Sequence, residues 1–124
     1  MTLAFYGEGL NVAVPVAADL SALQFTPVTL NSGGQAAQAT SGSAPCLGVL
    51  MNKPKSTDIA QVRFYGVCKV VLGATVAAGA QIMPTTGGQV ITCTSSNYPL
   101  GVLLTGGVTG DTQTALICPS QTHI

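Results

Sequence analysis

Charge is nearly absent from this chain. Four cations, Lys53, Lys55, Arg63 and Lys69, stand against four carboxylates, Glu8, Asp19, Asp58 and Asp111, so the formal net charge is zero and charged residues make up only 6%. An ordinary soluble domain carries roughly 25%. Few charges remain to break up apolar patches or to keep copies apart. The expectation is that partners cover much of the outside. The other reading is a monomer solvated by its many Thr, Ser, Gln and Asn side chains. With cations and acids cancelling, long-range electrostatic steering is expected to be weak.

The chemistry-bearing residues are also scarce. Tryptophan is missing, and the one histidine is His123. Acid–base catalysis needs paired carboxylates or a histidine with a partner, and four scattered acids provide neither. Asp58 and Asp111 each stand just before a candidate strand, where an Asp side chain hydrogen-bonds its own turn backbone. Cys46, Cys68, Cys93 and Cys118 never form a Cys-x-x-Cys pair, so the clustered ligands of a zinc site are lacking. They read as small apolar core residues. Gly7-Glu8-Gly9 lacks the third glycine and the strand–helix context of a dinucleotide fingerprint. Lys53-Pro54-Lys55 is the one basic cluster, with no aromatic platform beside it for nucleic acid. The expectation is a protein without catalysis, cofactor, metal or nucleic acid.

Long apolar runs are wanting too. A spanning helix needs about 20 apolar residues; the best run, 70–80, is about half that and carries Gly73, Thr75 and Gly79. The first residues, Met-Thr-Leu-Ala-Phe-Tyr-Gly-Glu, show neither a basic n-region nor an apolar h-region. The expectation is therefore no membrane and synthesis in the cytoplasm.

What the chain does have is β-branched and aromatic residues in short runs, cut by Gly, Pro, Ser and Asn clusters, the pattern of an all-β domain. The clearest strand covers 59–72. Its even positions, Ala60, Val62, Phe64, Gly66, Cys68, Val70 and Leu72, are small or apolar, while Gln61, Arg63, Tyr65 and Lys69 fall on the odd ones. Successive strand side chains point to opposite faces, so the even set predicts the buried face. Gly66 predicts a bulge or bend there. Further strands are predicted at 11–17, 27–30, 47–52, 81–83, 89–94, 100–105 and 112–118. Two helical turns are expected at 20–24, capped by Asp19, and at 74–79.

The pattern also occurs twice. Leu47-Gly48-Val49-Leu50 returns as Leu100-Gly101-Val102-Leu103, Asp58 returns as Asp111 at the same offset, and Gly33-Gly34-Gln35 returns as Gly87-Gly88-Gln89. The shared order predicts one hairpin-rich unit used twice. The two sheets, or two halves of one barrel, would bury their faces on each other. The fold expected is thus a small antiparallel β-sandwich or barrel with repeat halves at 25–78 and 79–124. Residues 1–24 would be an N-terminal arm or an edge strand. Phe5 and Tyr6, beside Gly7 and Gly9, are candidate anchors for a partner groove.

The order Leu-Gly-Val-Leu-x-Asn-Lys-Pro, then Asp58, then Val62-Arg-Phe-Tyr-Gly-Val-Cys-Lys-Val-Val71, then Val76-Ala-Ala-Gly79 and the second Leu-Gly-Val-Leu resembles the capsid decoration, or cement, proteins of tailed phages. The resemblance covers roughly residues 44–118 and includes a Gly-Val-x-Lys-Val motif at Gly66–Val70. In place of a Val-x-Ala-Gly-Asp turn the chain has Ala80 at the last position. The resemblance implies a virion protein on the outer surface of the head, often a homotrimer, that bridges major capsid protein subunits. Phe5, Tyr6, Lys53, Lys55, Arg63 and Lys69 are then candidate capsid or subunit contacts. Two rival classes share the β-rich composition: a tail or fibre-like trimer, and a small ligand-binding barrel. The second expects a mouth lined with aromatics, and the chain has only three Phe and three Tyr.

Overall fold

The computed structural model describes residues 9–120. Nine strands run through them: β1 (Gly9–Pro15), β2 (Pro27–Leu30), β3 (Ala36–Gln38), β4 (Gly48–Leu50), β5 (Ile59–Val71), β6 (Gln81–Pro84), β7 (Val90–Thr92), β8 (Gly101–Leu103) and β9 (Thr112–Ile117). They form one antiparallel sheet in the order β3-β2-β4-β5-β9-β8-β6-β7, with β1 on β5. No helix occurs among the described residues, and 20–24 and 74–79 are turns. The Asp19 carboxylate does accept the Ser21 N–H at 2.9 Å, but the chain turns straight on into β2. β3 is missing from the strands read off residue type, because Ala36-Ala-Gln38 carries no β-branched residue, but it stands where the repeated order of turn, strand and Ser-rich loop puts one. Pairing with β2 makes it a strand.

The repeat is a duplication of backbone pairing. Val28 pairs with Gly48 as Ile82 pairs with Gly101. Leu50 pairs with Val62 as Leu103 pairs with Ala115. The hairpins β2–β3 and β6–β7 turn at Gly34 and Gly88, with φ of 77° and 82°; there the Gly-Gly-Gln sequence meets the left-handed conformation that glycine adopts without penalty. Both Asp turns recur: the Asp58 carboxylate accepts the Lys55 N–H at 2.9 Å and that of Asp111 the Val108 N–H at 3.0 Å.

The duplication takes in β1. Val62 and Arg63 pair with Val12 and Asn11 on one edge of β5 and with Leu50 and Val49 on the other. Leu116 and Ala115 likewise pair with Val67 and Cys68 on one edge of β9 and with Val102 and Leu103 on the other. The second part of β5 is therefore to β9 what β1 is to the first part of β5. Val16 bridges Ala36, and Leu72 bridges Val90, both in parallel. Each half thus curls on itself as a small, partly closed barrel, and β5 serves both. The sequence reading begins the first repeat at residue 25; in the structure Gly9–Pro15 is a strand of that repeat. No shared motif marks it, because β1 and its counterpart match in pairing and not in residue identity.

Two cores follow. One gathers Val16, Leu20, Val28, Ala36, Leu50, Ala60 and Val62, with Val12, Val14, Leu23 and Leu47 only partly buried around it. The other holds Cys68, Val70, Leu72, Val76, Ile82, Val90, Leu100, Leu103, Ala115 and Ile117 of the second repeat, together with Ala39, Cys46 and Val49 of the first. Each fully buried Val or Leu contributes roughly 1.5–3 kcal/mol, so both centres are needed. The even residues of β5 are buried as expected except Phe64, which is 37% exposed. The register slips there: Tyr65 pairs with Leu10 but Arg63 with Asn11, which leaves Phe64 as the extra residue of a bulge. The adjoining Gly66 has φ 123°.

The glycine of Leu-Gly-Val-Leu has a steric cause. A methyl group on Gly48 would collide with the Arg63 carbonyl oxygen of β5, and one on Gly101 with the Leu116 carbonyl oxygen of β9. Gly48→Ala and Gly101→Ala are each expected to lower unfolding free energy by about 1–3 kcal/mol through overpacking. A urea titration would show this as a lower midpoint at unchanged slope.

Candidate contact surface

Six side chains are singled out by the sequence as contacts. Phe5 and Tyr6 lie outside the described residues. Lys53 and Lys55 are exposed on the β4–β5 turn, either side of a buried Pro54 whose carbonyl accepts the Leu20 N–H at 3.0 Å. The turn is thereby pinned to the first repeat, and the Asp19 pKa is lowered first by its Ser21 hydrogen bonds and also by the Lys55 charge. Arg63 is held in place: its Nε donates to Asn11 Oδ1 at 3.0 Å and a terminal nitrogen donates to the Val67 carbonyl at 2.7 Å. The Lys69 ammonium stands 6.0 Å from the centre of the Phe25 ring, a cation–π contact worth about 0.5–1 kcal/mol at an exposed site. Phe25 takes a positive φ of 68° where the second repeat has Gly79 at 88°. The cations are thus strung from the β4–β5 turn to the far part of β5. Two of the four already have partners within the chain.

The apolar surface is the larger resource. Leu10 (58% exposed) pairs across from Tyr65 (51%) at the β5 bulge. Val67, Leu116 and Val102 lie side by side across β5, β9 and β8, and Leu116 is 36% exposed. The matching row of the first repeat is Asn11, Arg63 and Val49. There the Arg63–Asn11 hydrogen bond occupies two positions and Val49 is fully buried. Near the bulge, Cys46, Leu47, Phe64 and Pro119 line an open groove of ≈ 240 Å³. The sequence reading passes over Phe64, Leu116 and Val102. The signal available is the repeat itself, which sets Leu116 in the place of Arg63 and so puts an apolar residue at an outward position.

The cysteines divide. Cys46 and Cys68 are buried as expected, but Cys93 is half-buried and Cys118 exposed. Cys118 follows the last residue of β9, one position out of step with the buried Ile117. Burial pushes the Cys46 and Cys68 thiols up to about 12 and raises that of Cys93.

No family model and no curated protein matches the chain. A solved structure does: the crystal structure of the N base of head fiber gp8.5 in bacteriophage phi29, with TM-score 0.70 and 14% sequence identity over 93% of this chain and 97% of that one. At that identity the likeness is one of fold, and it runs through nearly all of both chains.

Two outcomes follow for the side chains. Under native conditions a maleimide should label Cys118 quickly and leave Cys46 and Cys68 unlabelled until the protein unfolds, because only the thiolate reacts. The folded state keeps these two thiols protonated to about 12, while the unfolded chain ionises near the ordinary 9. Above that value the unfolded state binds fewer protons, so stability should fall as pH rises from about 9 towards 12 and be insensitive to these groups below it. Thermal melts across that range would show the decline. The second outcome concerns the cations: Arg63→Ala should cost about 1–3 kcal/mol through its two charge-assisted hydrogen bonds, whereas Lys53→Ala and Lys55→Ala should stay within about 0.5 kcal/mol.

Proposed function

We propose that this chain is a structural protein of a tailed-phage virion, held on the outside of the head against the major capsid protein. The observation that supports it most is the shared fold with a head fiber base, which covers 93% of this chain and 97% of the other. The surface chemistry agrees with that role. A protein that works by contact needs apolar area and a rigid frame, and the exposed Leu10, Tyr65 and Leu116 stand on paired strands. The proposed role calls for no catalysis, cofactor or metal. Partners are the capsid subunit and further copies of the chain, for which a homotrimer is the assembly we favour.

Two versions of the role are distinguished by what the protein does once bound. As a cement protein it bridges neighbouring capsid subunits and holds the head against the pressure of packaged DNA. As the base of a fibre it serves as an attachment point; the fibre base with the same fold favours this version. In either case apolar burial at roughly 25 cal/mol per Å² outweighs the 0–1 kcal/mol of each surface ion pair.

The test uses purified heads. A density map should show the protein on the outer surface, and heads without tails should retain it; a map without it there would reject the proposal. Heads lacking the protein should release DNA at lower temperature if it is a cement, and at unchanged temperature if it is a fibre base. Occupancy should change little between low and roughly physiological salt. Steep loss over that interval would show that ion pairs hold it.

A further inference from the structure

Inside the chain, one repeat covers the other in one direction only. The β3–β4 segment of the first repeat, residues 38–49, lies over the second: Tyr98 N–H donates to the Gly42 carbonyl at 2.8 Å, a methyl on Gly42 would meet Met83 Sδ at 2.6 Å and one on Gly88 the Gln38 amide at 2.6 Å. Ala39, Cys46 and Val49 of that segment join the core of the second repeat. Beneath this cover Leu100 and Ile117 are fully buried.

The same positions of the first repeat have no such cover among the described residues. Leu47 and Phe64 stand where Leu100 and Ile117 stand in the second, yet Leu47 is only partly buried and Phe64 is 37% exposed. Between them lies the ≈ 240 Å³ groove. The second repeat for its part carries the counterpart of the covering segment, residues 92–102, whose Tyr98 end meets Gly42 while Thr92, Cys93 and Val102 are left exposed or half-buried. Cys93 stands for Ala39 and Val102 for Val49; both are apolar, and both are half-buried where their counterparts are at 2% and 0%.

We infer that the 92–102 segment of one copy covers the Leu47–Phe64 groove of the next, repeating between chains the packing that joins the two repeats within one. The occupant is a second copy because the counterpart of the covering surface is already present in this chain, in the second half of the duplication, with Cys93 and Val102 only half-buried. The contact is head-to-tail, with different surfaces on the two partners, so repetition closes a ring or extends a row. The inference rests on the proposal that the chain self-associates and adds the surfaces that do so.

Sedimentation velocity on the full chain at tens of micromolar tests it. Wild type should assemble, and Phe64→Glu and Val102→Glu should each sediment as monomers. An equimolar mixture of the two should form dimers and stop there. The Phe64→Glu copy keeps an intact covering segment and the Val102→Glu copy an intact groove, so one contact survives. Monomeric wild type, single variants that assemble as wild type does, or a mixture that stays monomeric would each overturn it. Far-UV circular dichroism checks that both variants fold, and Phe64→Ser with Val102→Thr replaces the pair if a buried carboxylate unfolds either one. A density map of the head reports separately on the virion role, because it does not depend on which surfaces join the copies.

Discussion

The pairing of β5 on both its edges is the constraint on which the rest of the structure depends. This strand pairs with β1 and β4 along its first part and with β9 along its last. Neither repeat closes without it, since it is the final strand of one curl and the first of the next. An isolated hairpin is marginally stable at best in water, and β2–β3 or β6–β7 alone would have no core to face. The bulge at Phe64 and the positive φ of Gly66 mark the point where one strand passes from the wall of the first barrel to the wall of the second.

From that shared strand follows the unequal burial of the two halves. Both have the same pairing, yet the second repeat's core is reinforced by Ala39, Cys46 and Val49 from its neighbour, while the first is ringed by partly buried Val12, Val14, Leu23 and Leu47. Duplication of a fold within one chain leaves each repeat with one side covered by its twin and another side bare. Phe64 and Leu116 are among the exposed apolar residues on those sides, while Leu30, Ile59 and Val108 stand elsewhere, at strand ends and in the β8–β9 turn. The scarcity of charge has the same meaning. Surface ion pairs have little to add to a chain with four cations, two of which are engaged internally.

The sequence by itself determined the class of fold and its internal repetition. The alternation from Ala60 to Leu72 and the turn glycines left helix no more than the two single turns expected at 20–24 and 74–79, which do not form, and the twin Leu-Gly-Val-Leu motifs declared two copies of one unit. Those motifs are local: Gly34, Gly88, Gly48 and Gly101 answer to a turn or to one facing strand, so their cause is readable over a few residues. Only the tertiary structure decided that β1 belongs to the first repeat, because backbone pairing with β5 uses N–H and C=O groups that every residue has and leaves no mark on residue type. It also decided that Phe64 faces out while Ile117 faces in. Periodicity assigns Phe64 to the buried face, and the repeat sets Ile117 at the same position. Which one is buried depends on whether a segment far along the chain lies over it, and that is settled by how the two repeats pack, not by either residue's own sequence.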